Sequence, residues 1–171
     1  MGPTATGLNE QGRERYPLST VIIENLFFVL WLGIGATLMW GFMPALAVAY
    51  VIFGVVMMGV VMRISVCGSC YYHNKMCHTG WGKLSALYCR QRDLSRFGKG
   101  FSGALIPLFY GSMAVAPLVL GGISTARHFT PLKGALVALF VFVVVMSSVV
   151  LRKKSCATCK MRDICPGAAV K

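Results

Sequence analysis

Apolar residues run in four long blocks along this chain, and polar residues gather between and around them. The first block extends from Leu18 to Trp40 and the second from Ala45 to Met62. The third extends from Ala104 to Ile123 and the fourth from Leu132 to Leu151. A bilayer core takes about 20 apolar residues, with a working range of about 17–25. Lipid offers no partner to an open backbone amide or carbonyl, so each block is expected to be a helix. Gly41-Phe42-Met43-Pro44 reads as a tight turn, and the link from Ser124 to Pro131 is also short. The pattern therefore predicts an all-α membrane protein with four transmembrane helices in two hairpins, 18–62 and 104–151. The polar stretches 1–17, 63–103 and 152–171 then share one side. The first block is too long for the core of a signal peptide and comes after a polar stretch, so it reads as a retained anchor.

Within the long loop, Gly82 to Phe97 has the periodicity of an amphipathic helix. Leu84, Leu87, Tyr88, Leu94 and Phe97 fall on one side, and Ser85, Arg92, Asp93 and Arg96 fall opposite. Such a helix lies in the membrane interface with its cations outward. Tyr71, Tyr72 and Trp81 suit headgroup depth, and Gly80 and Gly82 let the chain turn sharply. Pro107 and Pro117 are expected to bend the third helix. Gly33, Gly35, Ala45 and Ala49 offer close helix contacts. Glu24 is the one acidic residue within a block, and its expected partner is Arg63 at the end of the second.

Composition agrees with this picture. Hydrophobic residues make up 56% of the 171 residues and charged residues 13%, against about a quarter charged in soluble domains. The net charge of +12 by itself suggests nucleic acid. Its placement gives another reason. Fifteen of the seventeen Lys and Arg lie in the N-terminal stretch, the loop and the tail, and only Arg127 and Lys133 lie at the other ends of the helices. The positive-inside rule puts the fifteen in the cytoplasm, with both termini, and the helices in the plasma (inner) membrane. Insertion topology accounts for the charge without nucleic acid. Membrane lipid and a protein partner on the cytoplasmic face are the expected contacts.

All seven cysteines fall on this cationic side: Cys67, Cys70, Cys77 and Cys89 in the loop, and Cys156, Cys159 and Cys165 in the tail. Cytoplasmic thiols stay reduced, and clustered ones more often serve metal or redox chemistry than structural disulfides. The spacing is C-x2-C-x6-C-H in the loop and C-x2-C-x5-C-P in the tail. A C-x2-C pair places two thiolates on one tight turn, within reach of one ion or cluster. Cys67, Cys70 and Cys77 with His73, His78 or Cys89 make a candidate zinc set. The tail trio needs a fourth ligand from elsewhere. Cys89 is a candidate, because it projects away from the apolar face of the expected 82–97 helix. The runs Met57-Met58 and Met62 read as packing material. There is no phosphate loop, no Ser-His-Asp set and no carboxylate pair, so no catalytic residue is assigned.

The tail Cys156-Ala157-Thr158-Cys159-Lys160-Met161-Arg162-Asp163-Ile164-Cys165 resembles the iron–sulfur segments of SPASM-type radical enzymes. It is similar also to the C-terminal cluster loop of CRISPR-associated exonucleases. The likeness covers about twelve residues and implies a [4Fe-4S] site completed by a further cysteine. It carries nothing of those enzymes' folds or activities. The loop's C-x2-C-Y-Y, then C and G-W-G-K, resembles a signature of small membrane proteins of unassigned activity. Four-helix membrane thiol oxidases are similar in span number, but their exchanging cysteines include pairs on the outer side, where this chain has none. The expected function is electron transfer or redox sensing through a [4Fe-4S] cluster. A structural zinc adaptor or assembly factor is the alternative, and a soft-metal or thiol-handling transporter the third reading.

Overall fold

The computed structural model describes residues 7–99 and 101–170, with no side-chain account of Phe101 and Ser102. Residues 1–6 of the N-terminal stretch, Gly100 of the loop and Lys171 of the tail lie outside it. The described residues form helices and turns without strands; one isolated bridge joins Arg13 to Cys159. Four helices are long and apolar enough to cross a membrane: α1 (Leu18–Trp40), α2 (Pro44–Ser69), α4 (Phe101–Arg127) and α5 (Pro131–Ala157). The short α3 (Trp81–Ser85) lies in the loop. α2 runs beyond Met62, and α5 beyond Leu151, so both carry their helical backbone into the cysteine regions.

Pro44 and Pro131 open α2 and α5 at positions where a missing amide costs nothing. Both helices widen into a π turn near their far ends, Met57–Val61 in α2 and Met146–Leu151 in α5. A π turn holds an extra residue and redirects the helix beyond it.

α1 packs against α2, α4 and α5. The core between them holds Trp31, Leu38, Tyr50, Phe109, Met113 and Phe140, the last fully enclosed. Lipid-facing residues such as Ile22, Leu26, Val29, Val55 and Phe142 are exposed. Pro117 supplies a joint as well as the expected irregularity. It has no amide to give Met113, four residues earlier, so the Met113 carbonyl is open. Trp31 Nε1 on α1 donates to it at 3.2 Å, and Tyr50 Oη on α2 donates at 3.1 Å. Gly35 makes this possible, since a Cβ there would stand 2.6 Å from Tyr50 Oη.

Two expectations are corrected. The helix read over Gly82–Phe97 is five residues long, Trp81–Ser85, succeeded by turns and a 3-10 turn at Leu94–Arg96. Ser85 Oγ donates to Gly82 O at 2.7 Å and meets His73 Nδ1 at 3.1 Å, which draws the helix end inward. The apolar side divides accordingly: Leu84, Leu87 and Tyr88 are exposed, while Phe97 is buried against the tail. The second correction concerns Glu24. Its carboxylate accepts from Ser155 Oγ on α5 at 2.9 Å. Arg63 instead stacks on Trp81 and Tyr88, 4.6 and 5.4 Å from their centroids.

Tyr50→Phe is expected to cost about 0.6 kcal/mol, the average for hydrogen bonds within membrane bundles, and no more than about 1.7 kcal/mol. Unfolding in detergent measures this. The loss should shrink in a Pro117→Ala background, where Met113 regains a helical amide.

Candidate metal centre

The start of α1 and the ends of α2 and α5 meet at one end of the bundle, beneath a cap woven from three segments. The N-terminal stretch runs along the tail. Asn9 N donates to Lys160 O at 3.0 Å, and Arg13 N donates to Thr158 O at 2.8 Å. Gly12 permits this approach, since a Cβ there would lie 2.6 Å from Lys160 N. Tyr72 brings in the loop: its hydroxyl donates to Arg13 O at 2.7 Å and accepts from Lys160 N at 3.1 Å. Tyr16 N donates to Met76 O at 3.0 Å, and Tyr16 Oη donates to Ser155 O at 2.7 Å. Outside, Glu14 pairs with Lys160 at 2.8 Å and Lys75 at 3.6 Å, and accepts from Tyr71. The Lys160 and Tyr71 hydrogen bonds hold Glu14 down at about 2, well below the usual carboxylate range.

Asn25 docks the loop onto α1. Its Nδ2 donates to Thr79 O at 2.9 Å, and its Oδ1 accepts from Trp81 Nε1 at 3.0 Å. Tyr16, Tyr72, Cys77, Phe97 and Met161 form the small core of the cap.

The seven cysteines are free thiols; Cys77 lies in that core, and Cys70, Cys159 and Cys165 pack against it. They do not sort by sequence region. Cys70 lies near enough to Cys67 and Cys77 in the loop, and to Cys159 across in the tail, for a thiolate at any of them to disfavour one at Cys70. Cys159 stands in the same relation to Cys156 and Cys165. Cys89, the expected bridge to the tail, sits instead beside Cys67, with its thiol toward Arg63 O and Ser85 O. Its environment belongs to the end of α2. His73 is buried on Ser85, and His78 packs edge-on to Tyr16 with its centroid 5.9 Å away. Burial, then the nearby Arg152 charge, lowers His78 to about 4 and keeps it neutral.

Backbone amides are aimed at the sulfurs. Tyr72 N–H meets Cys70, Met161 N–H meets Cys159, and Gly167 N–H meets Cys165. Gly82 N donates to Cys77 Sγ at 3.3 Å. Such donors favour a thiolate, and around clusters they tune the potential. Burial acts the other way and wins, raising Cys70, Cys159 and Cys165. These three thiols are therefore protonated at neutral pH. The donor chemistry suits a soft metal. Among the described residues, however, no three His, Cys, Asp or Glu side chains stand as a set ready to hold an ion. Loading a metal requires the sulfurs to draw together and lose their protons. A cleft of about 560 Å³ between loop and tail opens onto Cys165, with Asp93, Phe97, Asp163 and Pro166 in its walls.

One signal within the sequence emerges only beside the structure. Met57, Val60, Val61, Met62, Arg63, Cys67 and Cys70 recur 89 positions later as Met146, Val149, Val150, Leu151, Arg152, Cys156 and Cys159. The π turns fall in register with this repeat. Each arginine lies over a ring, Arg152 on Tyr110 at 5.4 Å. Each C-x2-C pair closes the same turn, Cys70 N to Cys67 O at 3.2 Å and Cys159 N to Cys156 O at 3.1 Å. Tyr72 and Met161, whose amides serve the second sulfurs, are the next counterparts, both 2% exposed. Different partner residues and a one-residue difference in the spacing to the third cysteine hide the repeat in a linear reading.

No family model, no curated protein and no solved structure matches this chain.

Tyr72→Phe removes the acceptor for Lys160 N and the donor to Arg13 O. It is expected to loosen the tail by about 1–3 kcal/mol, seen as faster amide exchange at Lys160. The raised thiols contribute stability that is complete below their ordinary pKa of 9.0 and is lost as pH climbs through the folded values. In metal-free protein, alkylation of Cys159 and Cys165 should thus be slow at pH 7.5, and should accelerate above pH 9 as the cap loosens.

Proposed function

We propose that this integral membrane protein carries a [4Fe-4S] cluster at its cap, ligated by Cys156, Cys159, Cys165 and Cys70. It serves electron transfer or redox sensing beside a protein partner. The observation that carries this reading is the approach of Cys70 to Cys159 of the tail trio, with backbone amides directed at three of the four sulfurs. The trio's spacing suits a cube that needs one more thiolate, and Cys70 is the loop thiol electrostatically linked to Cys159. Cys70 therefore takes the bridging role expected of Cys89. When bound, the cluster would supply one-electron chemistry. The chain's own part is to keep the site dry, direct amides at the sulfurs and hold loop to tail.

Two hairpins crossing the plasma membrane, with both termini cytoplasmic, fit this assignment. The cationic residues crowd the cap, and cytoplasmic thiols are kept reduced. The cleft over Cys165 gives a partner an approach to within a few residues of the cluster ligands. A cluster held from both helical pairs also ties metal loading to folding.

Anaerobic purification, then iron, zinc and acid-labile sulfide analysis, tests the reading. Iron and sulfide in equal amounts, with broad visible absorption that bleaches on reduction, are expected. Cys70→Ser should lower cluster content as strongly as Cys159→Ser. Stoichiometric zinc without sulfide would sink the cluster assignment. A membrane-impermeant thiol reagent should label none of the seven cysteines in intact cells; labelling there overturns the topology.

A further inference from the structure

Glu24 carries the single carboxylate within the four spans. It accepts from Ser155 Oγ at 2.9 Å, and among the described residues no Lys or Arg pairs with it. Arg152, the first cation beyond Leu151 on α5, is committed elsewhere: it donates to Gly167 O at 2.6 Å and lies over Tyr110. A carboxylate within a span is costly unless a cation or a full set of donors meets it. One serine hydroxyl is neither.

The carboxylate lines a cavity of about 170 Å³ between the start of α1 and the end of α5. Pockets for drug-sized ligands hold roughly 300–1,000 Å³, so this one takes a small polar group. Ile23 and Leu151 are its apolar walls, and Ile23 is 44% exposed on the lipid-facing surface, beside the exposed Ile22 and Val150. The cavity therefore borders the bilayer. Arg13, from the N-terminal stretch, and Lys154 are exposed at its rim and, among the described residues, form no ion pair. Glu24 meets Ser155, the neighbour of Lys154, so the carboxylate and this cation stand at nearly one depth. A negative group inside thus lies sideways from positive groups at the rim.

We propose that this cavity binds the headgroup of a phospholipid bearing a primary ammonium, of the ethanolamine type. The ammonium enters to Glu24, and the phosphodiester stays at the rim with Arg13 and Lys154. A primary ammonium brings three N–H donors to the carboxylate. A choline headgroup brings none and is held by aromatic cages, whereas Tyr16 is the one ring on this cavity and its hydroxyl already donates to Ser155 O. A glycerol headgroup leaves Glu24 without its cation. The apolar walls make the bilayer the source, since acyl chains can stay in lipid while the headgroup is held. No cysteine or histidine lines the cavity, so this site does not depend on the metal reading.

Native mass spectrometry of the full chain in detergent tests this, with phosphatidylethanolamine, phosphatidylcholine and phosphatidylglycerol of matched acyl chains. Wild-type protein is expected to bind the ethanolamine lipid about tenfold more tightly than either other lipid. Glu24→Gln should abolish that preference without lowering phosphatidylglycerol binding. Lys154→Ala should weaken binding of the ethanolamine lipid. Ile23→Trp fills the mouth from a lipid-exposed position and leaves Glu24 in place. It should lose the preference as well, so the test stands even where Glu24→Gln fails to fold. Equal binding of the three lipids by wild-type protein refutes the site, as does an unchanged ethanolamine preference in Ile23→Trp or in folded Glu24→Gln. Displacement of the lipid by free phosphoethanolamine at equal concentration also refutes it, because the ligand is then a soluble amine phosphate.

Discussion

An open carbonyl inside a bilayer has no water to turn to, and α4 creates one at Met113 by placing Pro117 a turn later. The missing donors come from outside the helix. Trp31 on α1 and Tyr50 on α2 both donate to that oxygen. Three helices are thereby fixed to a single atom, and the enclosed Phe109, Met113 and Phe140 fill the space around it. The general weakness of apolar attraction within lipid makes this constraint weigh more than the surrounding packing. With α1 and α2 held against α4, the helix ends that carry the cysteines arrive at the same end of the bundle.

The cap is held by different means, closer to those of a small soluble domain. Tyr72 and Tyr16 use their hydroxyls to satisfy backbone groups on segments that have no sheet to join. Their rings supply apolar cover for the thiols. Burial keeps those thiols protonated, while the amides around them favour the opposite state.

The four helices are legible in the sequence because twenty-residue apolar blocks have few other solutions in a chain so poor in charge. The turns at Gly41–Pro44 and before Pro131 are legible for the same reason. The 82–97 stretch misleads because its periodicity is real but its residues serve two environments: Leu87 is 79% exposed while Phe97 packs beneath the tail. The cysteines are recognisable as a group from spacing. The nearness of Cys70 to Cys159 is not, since the two are far apart in sequence and approach through the fold. The projection that sends Cys89 toward the tail depends on a helix that ends at Ser85. Depth alone pairs Glu24 with Arg63, but position around the helix axis turns it to Ser155.

The matched positions lie at the far ends of α2 and α5, and in each helix a π turn comes directly before the arginine and the C-x2-C pair. The extra residue of a π turn rotates everything beyond it about the helix axis. Arg63 with Cys67 and Cys70, and Arg152 with Cys156 and Cys159, are therefore aimed by that turn and not by the apolar register of the span beneath them.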